Sequence, residues 1–569
     1  MRITEALKIL HAAGKTSKAF PVTLACGFTP LHLSTFLGAH LQQRLPERRV
    51  EVSTGLYGDL AGALERLGDT TSDAIALVIE WSDLDPRLGF RSSGAWGGAA
   101  VSDILSSLPS VLQRIKAALE AMPRGIPVAV CMPTLPLPPL FHTPGWQASH
   151  AELALDDMLA TFAHELQALP SARVVNARRL AEESSAAQRF DLKSDLLTGL
   201  PYTLSHAGAV ASALAQLLLS APPKKGLITD LDDTLWSGLV GELGPENVSW
   251  DLTSHTALHG VYQKLLASFA QEGVLVAVAS KNDAAVVQQA LEREDILIPA
   301  SSLFPMEVHW EAKSGSVARI LQSWNISADS VVFVDDSPLE LAEVAAAHPG
   351  IECIQFGGYE MLRRLRDLFG KSSLSEEDSL RAASIRRSSE FRASSAGSSS
   401  EDFLKSLNAV VSFDFPEQPD ARSLELVNKT NQFNLNGIRY TEAEWAKKLL
   451  HNDAVCVAIS YEDKFGPLGK ISVLQGQQEG RTLHLDVWVL SCRAFARRIE
   501  HQCLRLLFDH YAVDAIEFSF AKTAKNGPFS DFLSSLSAAD GLLTREQFQR
   551  FCPPLYHSVK EGKRVEVNG

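Results

Sequence analysis

The run Leu227-Ile228-Thr229-Asp230-Leu231-Asp232-Asp233-Thr234-Leu235-Trp236 constrains this chain more than any other stretch. Apolar and β-branched residues lead into two carboxylates at alternate positions, with a threonine following. In a strand that ends there, alternate side chains point the same way, so Asp230 and Asp232 can face one site. Two carboxylates so placed can bind a divalent cation together, and one can attack phosphorus while the other handles the leaving-group proton. Asp-rich strand ends also occur as plain turns or helix caps. The residues downstream decide between these readings.

Val274–Ala279 reads as a second buried parallel strand, ending in Ser280-Lys281-Asn282-Asp283. Lys313 follows in Trp310-Glu311-Ala312-Lys313, and a third apolar strand, Val331–Val334, ends in Asp335-Asp336-Ser337. Open α/β sheets place their sites at such strand ends. The ordered set resembles the four motifs of the haloacid dehalogenase (HAD) superfamily of phosphoryl-transfer enzymes. That resemblance implies Asp230 as the nucleophile that forms an aspartyl phosphate and Asp232 as the general acid/base. It also implies phosphate contacts from Thr234, Ser280, Lys281, Asn282 and Lys313. A Mg²⁺ site of Asp230, Asp232, Asp335 and Asp336 completes the set.

Cap domains of this superfamily follow the first or second motif. Here Ser237 to Ser254 has room only for a flap before a helical stretch around Ala257–Glu272, and Ser280 to Lys313 has room for one helix, Ala284–Glu294. The spacing predicts an open site, suited to a phosphorylated group carried on a macromolecule as well as to a free one.

A chain of 569 residues exceeds one hydrophobic core and predicts about three domains. With 46% hydrophobic and 21% charged residues, it has the composition of a soluble globular protein. No apolar run reaches the length of a membrane span, and the first residues lack a signal-peptide core, so a cytoplasmic location is expected. The seven cysteines are scattered without a CxxC pair, which argues against a zinc site or a disulfide framework. A net charge of −14 argues against nucleic-acid binding.

Four segments are expected. Residues 1–220 alternate short strands (Phe20–Ala25, Val50–Thr54, Ala74–Glu80, Pro127–Cys131, Val174–Val175) with helices, an α/β pattern with a parallel sheet. The order resembles an SGNH-hydrolase-like domain with a degenerate site: Cys26-Gly27-Phe28-Thr29 replaces Gly-Asp-Ser, and Thr203 stands where an Asp should precede His206. A scaffold or docking role is expected there. Residues 221–371 form the HAD domain, Rossmann-like with a minimal cap. Residues 372–400 are Ser/Arg-rich, and Leu380, Ala383, Ile385 and Phe391 fit one face of a helical connector. Residues 401–569 have an α+β order with strands at Ala454–Tyr461, Gly469–Gln475, Thr482–Leu490 and Ala515–Ser519 and a helix at Ala494–His510. That order resembles the GNAT acyltransferase fold, in which a helix N-terminus receives a pyrophosphate.

Together the segments resemble the FkbH-like family, HAD subfamily IIIC. Asp230–Trp236, Ser280–Asp283, Trp310–Lys313 and Asp335–Pro338 carry the resemblance in the HAD segment, and Asn428–Leu435, Asp463–Gly466, Leu490–Arg493 and Thr523–Asn526 in the last. It implies transfer of a phosphoglyceryl group from 1,3-bisphosphoglycerate, through an enzyme thiol, to the phosphopantetheine arm of an acyl carrier protein. Removal of the phosphate follows, supplying three-carbon units to polyketide-type biosynthesis. Many relatives have a cysteine before the Ser-Lys-Asn string, where this chain has Ala279. Cys492, read at a helix N-terminus beside Arg493, is then the foremost thiol, ahead of Cys26. Ala496 and Arg498 replace the glycines that would let a pyrophosphate approach that helix. The alternative is a Mg²⁺-dependent HAD phosphatase acting on a small phosphorylated metabolite or sugar without acyl transfer.

Overall fold

The computed structural model describes residues 1–12, 18–55, 57–65, 71–92, 96–123, 125–139, 143–371, 385, 400–416, 418, 420–449, 454–538 and 540–562. They form two compact units: Met1–Ala221 with Tyr440–Leu450, and Pro222–Arg439 with His451–Gly569.

The first unit is built on strands β1 (Ala19–Ala25), β2 (Arg49–Thr54), β3 (Ala74–Val78), β4 (Val128–Cys131) and β5 (Ala172–Val174). All pairings are parallel and the order is β2-β1-β3-β4-β5, the doubly wound arrangement in which helices cover both faces. Every side chain of β3 and β4 is buried, as continuous apolar strands in a parallel sheet require. The helix Glu442–Leu449, distant in sequence, belongs to this unit and buries Ala443, Trp445, Ala446 and Leu449. Glu444 accepts from Arg48 at 2.7 Å and Lys18 at 2.5 Å, Glu442 pairs with Arg173 at 2.5 Å, and Lys447 pairs with Asp73 at 3.0 Å. Gly125, at φ +86°, lies so close that an added Cβ would stand 2.2 Å from Ala446 Cβ.

The second unit carries two sheets. The first contains β6 (Gly226–Thr229), β7 (Leu275–Ser280), β8 (Leu303–Val308), β9 (Val331–Asp335) and β10 (Glu352–Gln355), all parallel in the order β10-β9-β6-β7-β8. Alternation sends Leu227, Val276, Val278, Val332 and Val334 into one core cluster and Ile228, Ala277 and Phe333 into the other. Each such Val, Leu, Ile or Phe side chain contributes about 1.5–3 kcal/mol on burial, and β6 is the central strand with Asp230 just past its carboxyl end. The flap holds only one short helix, Val240–Leu243, and the helices expected after it and after β7 run Ala257–Gln271 and Ala284–Leu291.

The second sheet contains β11 (Val410–Asp414), β12 (Phe433–Asn434), β13 (Ala454–Asp463), β14 (Gly466–Glu479), β15 (Thr482–Leu490), β16 (Ala515–Phe518), β17 (Leu542–Thr544) and β18 (Ser558–Glu561). Its order among the described residues is β17-β16-β15-β14-β13-β11-β18, with β12 paired to the end of β15 at Phe433↔Leu490. β12 follows closely on the helix Ala421–Lys429. The helix expected from Ala494 starts at Ile499, because Ala496 and Arg498 adopt φ of +63° and +59° and break the helical path. Cys492 lies in a separate 3₁₀ turn, Cys492–Ala494, and not at an α-helix N-terminus. The expected connector helix falls outside the described residues, apart from Ile385, which is buried.

Candidate active site

At the carboxyl end of β6 the chain leaves the sheet in a tight turn. The amides of Thr234, Leu235 and Trp236 all donate to Leu231 O, and Asp233 takes φ +50°. Asp230 is held by its own amide donating to Val334 O at 3.0 Å on the neighbouring β9. Asp335 closes β9 one position beyond that contact. Carboxylate oxygens of Asp230, Asp335 and Asp336 lie within 4.8 Å of one another. Lys313, first residue of the helix Lys313–Trp324, places Nζ 3.0 Å from Asp230 Oδ2 and 2.6 Å from Asp335 Oδ2.

Burial pushes the Asp230 carboxyl above the usual carboxylate range; Lys313 pulls against this and the Asp335 charge adds to it. Burial raises Asp335 and Asp336 as well. Burial opposes the charge of Lys313, yet the two carboxylates more than offset it and hold the ammonium above its ordinary value. Three carboxyl groups crowd around one ammonium in a low-dielectric site. Asp230 Oδ1 is buried with no hydrogen-bond partner. An oxygen-only donor set with an unsatisfied carboxylate oxygen fits a hard divalent cation such as Mg²⁺.

The other residues singled out in the sequence are distributed around this cluster. Thr234 is buried, with Oγ1 unpartnered. Ser280 ends β7, and its Oγ accepts from Asn282 Nδ2 at 3.1 Å. Lys281 turns to Glu340 Oε1 at 2.7 Å, away from the acidic cluster. The Asp232 side chain stands apart from the three clustered carboxylates, accepting from Trp236 Nε1 at 2.8 Å, the Val240 amide at 3.1 Å and Asn282 Nδ2 at 3.1 Å. The contacts of Trp236 and Val240 had no periodic or spacing signal that could have announced them.

Cys492 lies elsewhere. Its Sγ is 3.7 Å from Asn325 O, at the C-terminal end of the helix that Lys313 begins. At 1.5 Å per residue that end is about 18 Å from Lys313. Of the neighbouring arginines, Arg497 is buried against Asp463 at 3.3 Å and Arg498 donates to Pro554 O at 2.8 Å.

In the first unit His206 opens the helix Leu204–Leu218. Its ring lies between Thr134 Oγ1 at 2.8 Å and Ser184 Oγ at 2.9 Å. Glu80 accepts from Thr134 Oγ1 at 2.6 Å and Tyr202 Oη at 2.5 Å, so this polar network is internally satisfied. Cys26 donates to Phe28 O, and burial pushes its thiol up to about 12. Buried at 3% exposure in the core of the unit, Cys26 is a packed residue.

No protein-family model matches the chain, and no curated protein matches it. Among solved structures it is similar to the N-terminal part of the protein BF1531 from Bacteroides fragilis, which contains a phosphatase domain and is complexed with Mg. The TM-score is 0.52 at 19% identity, over 66% of this chain and 100% of that one. This is a likeness of fold. A salicylyl-acyltransferase, SsfX3, from a tetracycline biosynthetic pathway aligns with 35% of this chain and 54% of its own at 13% identity, with a TM-score of 0.22, too low to establish a common fold. Among the described residues no helix is long and apolar enough to cross a membrane.

Proposed function

We propose that this chain is a Mg²⁺-dependent phosphatase of the HAD type, acting on a phosphate monoester through an aspartyl phosphate on Asp230. The observation that carries this reading is the Asp230–Lys313–Asp335–Asp336 cluster at the carboxyl end of the central parallel strand, with an orphaned nucleophile oxygen. The Mg-bound phosphatase domain of BF1531 supports the cation. Asp230, Asp335 and Asp336 would hold it, and when bound it would offset charge on the phosphoryl oxygens.

The remaining groups divide the work. A carboxylate oxygen of Asp230 bonds to phosphorus, Lys313 offsets charge beside it, and Ser280 and Thr234 offer hydroxyls to the phosphoryl oxygens. Asp232 gives a proton to the departing oxygen and later takes one from the attacking water.

The finer reading is that the ester is the 3-phosphate of a glyceryl unit loaded from 1,3-bisphosphoglycerate onto the phosphopantetheine arm of an acyl carrier protein. The motif strings of the FkbH-like family and the short flap, which leaves room at the site for a carried substrate, support it. Cys492 is the candidate acyl-bearing thiol in this reading. Given its separation from Lys313, loading in this reading would use a second centre. Intact mass spectrometry of a phosphopantetheinylated carrier protein incubated with the enzyme, Mg²⁺ and 1,3-bisphosphoglycerate tests it. A glyceryl adduct on the arm supports loading; an unmodified carrier with phosphate released from simple monoesters leaves a phosphatase alone.

A further inference from the structure

Asp232 accepts hydrogen bonds from three separate parts of the chain. Trp236 Nε1 donates to Oδ1 at 2.8 Å, and the Val240 amide donates to the same oxygen at 3.1 Å. Asn282 Nδ2 donates to Oδ2 at 3.1 Å and also to Ser280 Oγ at 3.1 Å. The turn after Leu231 folds Trp236 back over Asp232, and Trp236 is wholly buried there. Val240 is the first residue of the flap helix.

A carboxylate offers about four acceptor positions, two on each oxygen. Both on Oδ1 are taken, whereas Oδ2 keeps one open. We propose that Trp236 and the Val240 amide are positioning groups that reserve Asp232 Oδ2 as the proton-handling atom of the phosphatase site. This rests on the reading of Asp230 as nucleophile and Asp232 as acid/base. Asn282 ties the same oxygen to Ser280, so the open position of Oδ2 is set relative to the hydroxyl that would hold the phosphoryl group.

The proton balance follows. As an Asp230 oxygen bonds to phosphorus, the ester P–O bond breaks and its electron pair stays on the leaving oxygen, which takes the proton from Asp232 Oδ2. Water oxygen then bonds to phosphorus and passes a proton back to Oδ2, and the aspartyl O–P bond breaks with its pair returning to Asp230. Both transfers need one oxygen with an open lone-pair direction and a fixed orientation. Loss of either donor to Oδ1 frees the carboxyl group to rotate and spoils that alignment.

Leaving-group dependence reads this out. A nitrophenolate departs with little help from an acid, whereas an alkoxide needs its proton. The ratio of kcat/KM for 4-nitrophenyl phosphate to kcat/KM for glycerol 3-phosphate, with Mg²⁺, therefore measures how well Asp232 delivers it. Two variants remove one donor each. Trp236→Phe keeps most of the buried ring volume. Val240→Pro deletes the N–H at the first helical position, where proline is favoured, after Leu239 at φ −87° and ψ 109°, a conformation suited to precede proline, and exchanges the buried valine side chain for a pyrrolidine ring. Each is expected to raise the ratio about tenfold or more, and if Trp236→Phe fails to fold, Val240→Pro carries the test. An unchanged ratio in a folded variant overturns the proposal. Asp232→Asn should raise the ratio at least as far; if it does not, the acid/base reading of Asp232 fails. Hydrolysis of both esters retained in Asp230→Asn would instead sink the nucleophile assignment.

Discussion

Cys492 Sγ lies 3.7 Å from Asn325 O, at the far end of the helix whose first residue, Lys313, contacts Asp230 and Asp335. A thiol at the far end of a helix about 18 Å long takes no direct part in phosphoryl transfer at Asp230. Cys492→Ala should therefore keep phosphate-monoester hydrolysis within about twofold of wild type while abolishing any thiol-dependent acyl loading of a carrier protein, both read by phosphate release and mass spectrometry. A large loss of hydrolysis in the folded variant would contradict a phosphatase site remote from Cys492.

Metal binding should compete with protons. The carboxyls of Asp230, Asp335 and Asp336 are pushed up by burial, so in the metal-free protein they hold protons at a pH where ordinary carboxylates are ionised. Mg²⁺ affinity measured by calorimetry should rise with pH from about 5 to 7.5. The Mg²⁺-induced rise in unfolding temperature should grow in the same direction, since binding at 100 times Kd stabilises by about 2.7 kcal/mol. Asp336→Asn should remove most of that thermal shift.

In the first unit two buried groups titrate with opposite effects. Burial, with a smaller contribution from the Arg189 charge, lowers His206 to about 3, so its contribution to stability is complete above the unfolded value near 6.5 and is lost as pH falls toward 3. Burial raises Asp83 to about 7, so its contribution is complete below about 4 and is lost as pH rises toward 7. The slopes oppose each other between about pH 4 and 6.5. His206→Gln removes one, and the unfolding temperature of this unit should then increase on acidification from pH 7 to 4, more steeply than in wild type.

The helix Glu442–Leu449 stabilises the first unit through mixed ionic and apolar contacts. Glu444 is half-buried between Arg48 and Lys18, which offset its burial and hold it down at about 2. Glu444→Gln should cost about 1–3 kcal/mol, between the values for exposed and buried pairs. Gly125→Ala should cost at least as much, since the new methyl would overlap Ala446. Differential scanning calorimetry of the full chain checks both.

The strands that carry the site were legible because buried parallel strands read as apolar runs, and β6, β7 and β9 end within a residue of where the sequence puts them. The half-exposed edge strands β8 and β10 were not, since Leu303–Val308 and Glu352–Gln355 mix polar and apolar residues without strict alternation. The attachment of Glu442–Leu449 to the first unit was hidden because its ion pairs join residues hundreds of positions apart. The helix starts at Ile499 and not at Ala494 because left-handed backbone at Ala496 and Arg498, which has no signature in those residue types, breaks it. Among site residues, Asp230 and Asp232 announce themselves by alternate spacing, whereas Lys313, Asp335 and Asp336 are singled out through the resemblance to the HAD motifs. The partners of Asp232 emerge only once the turn after Leu231 is folded.

The most direct measurement is release of phosphate from 4-nitrophenyl phosphate with Mg²⁺ by wild type and Asp230→Asn, with acid-quenched protein digested and searched for a phosphorylated peptide. The expected result is a phosphate group on the peptide containing Asp230 in wild type only, with activity of the variant reduced by about a thousandfold or more, the scale of losing a covalent nucleophile. Hydrolysis by Asp230→Asn within tenfold of wild type, or phosphate trapped on another residue, would contradict a phosphatase centred on Asp230.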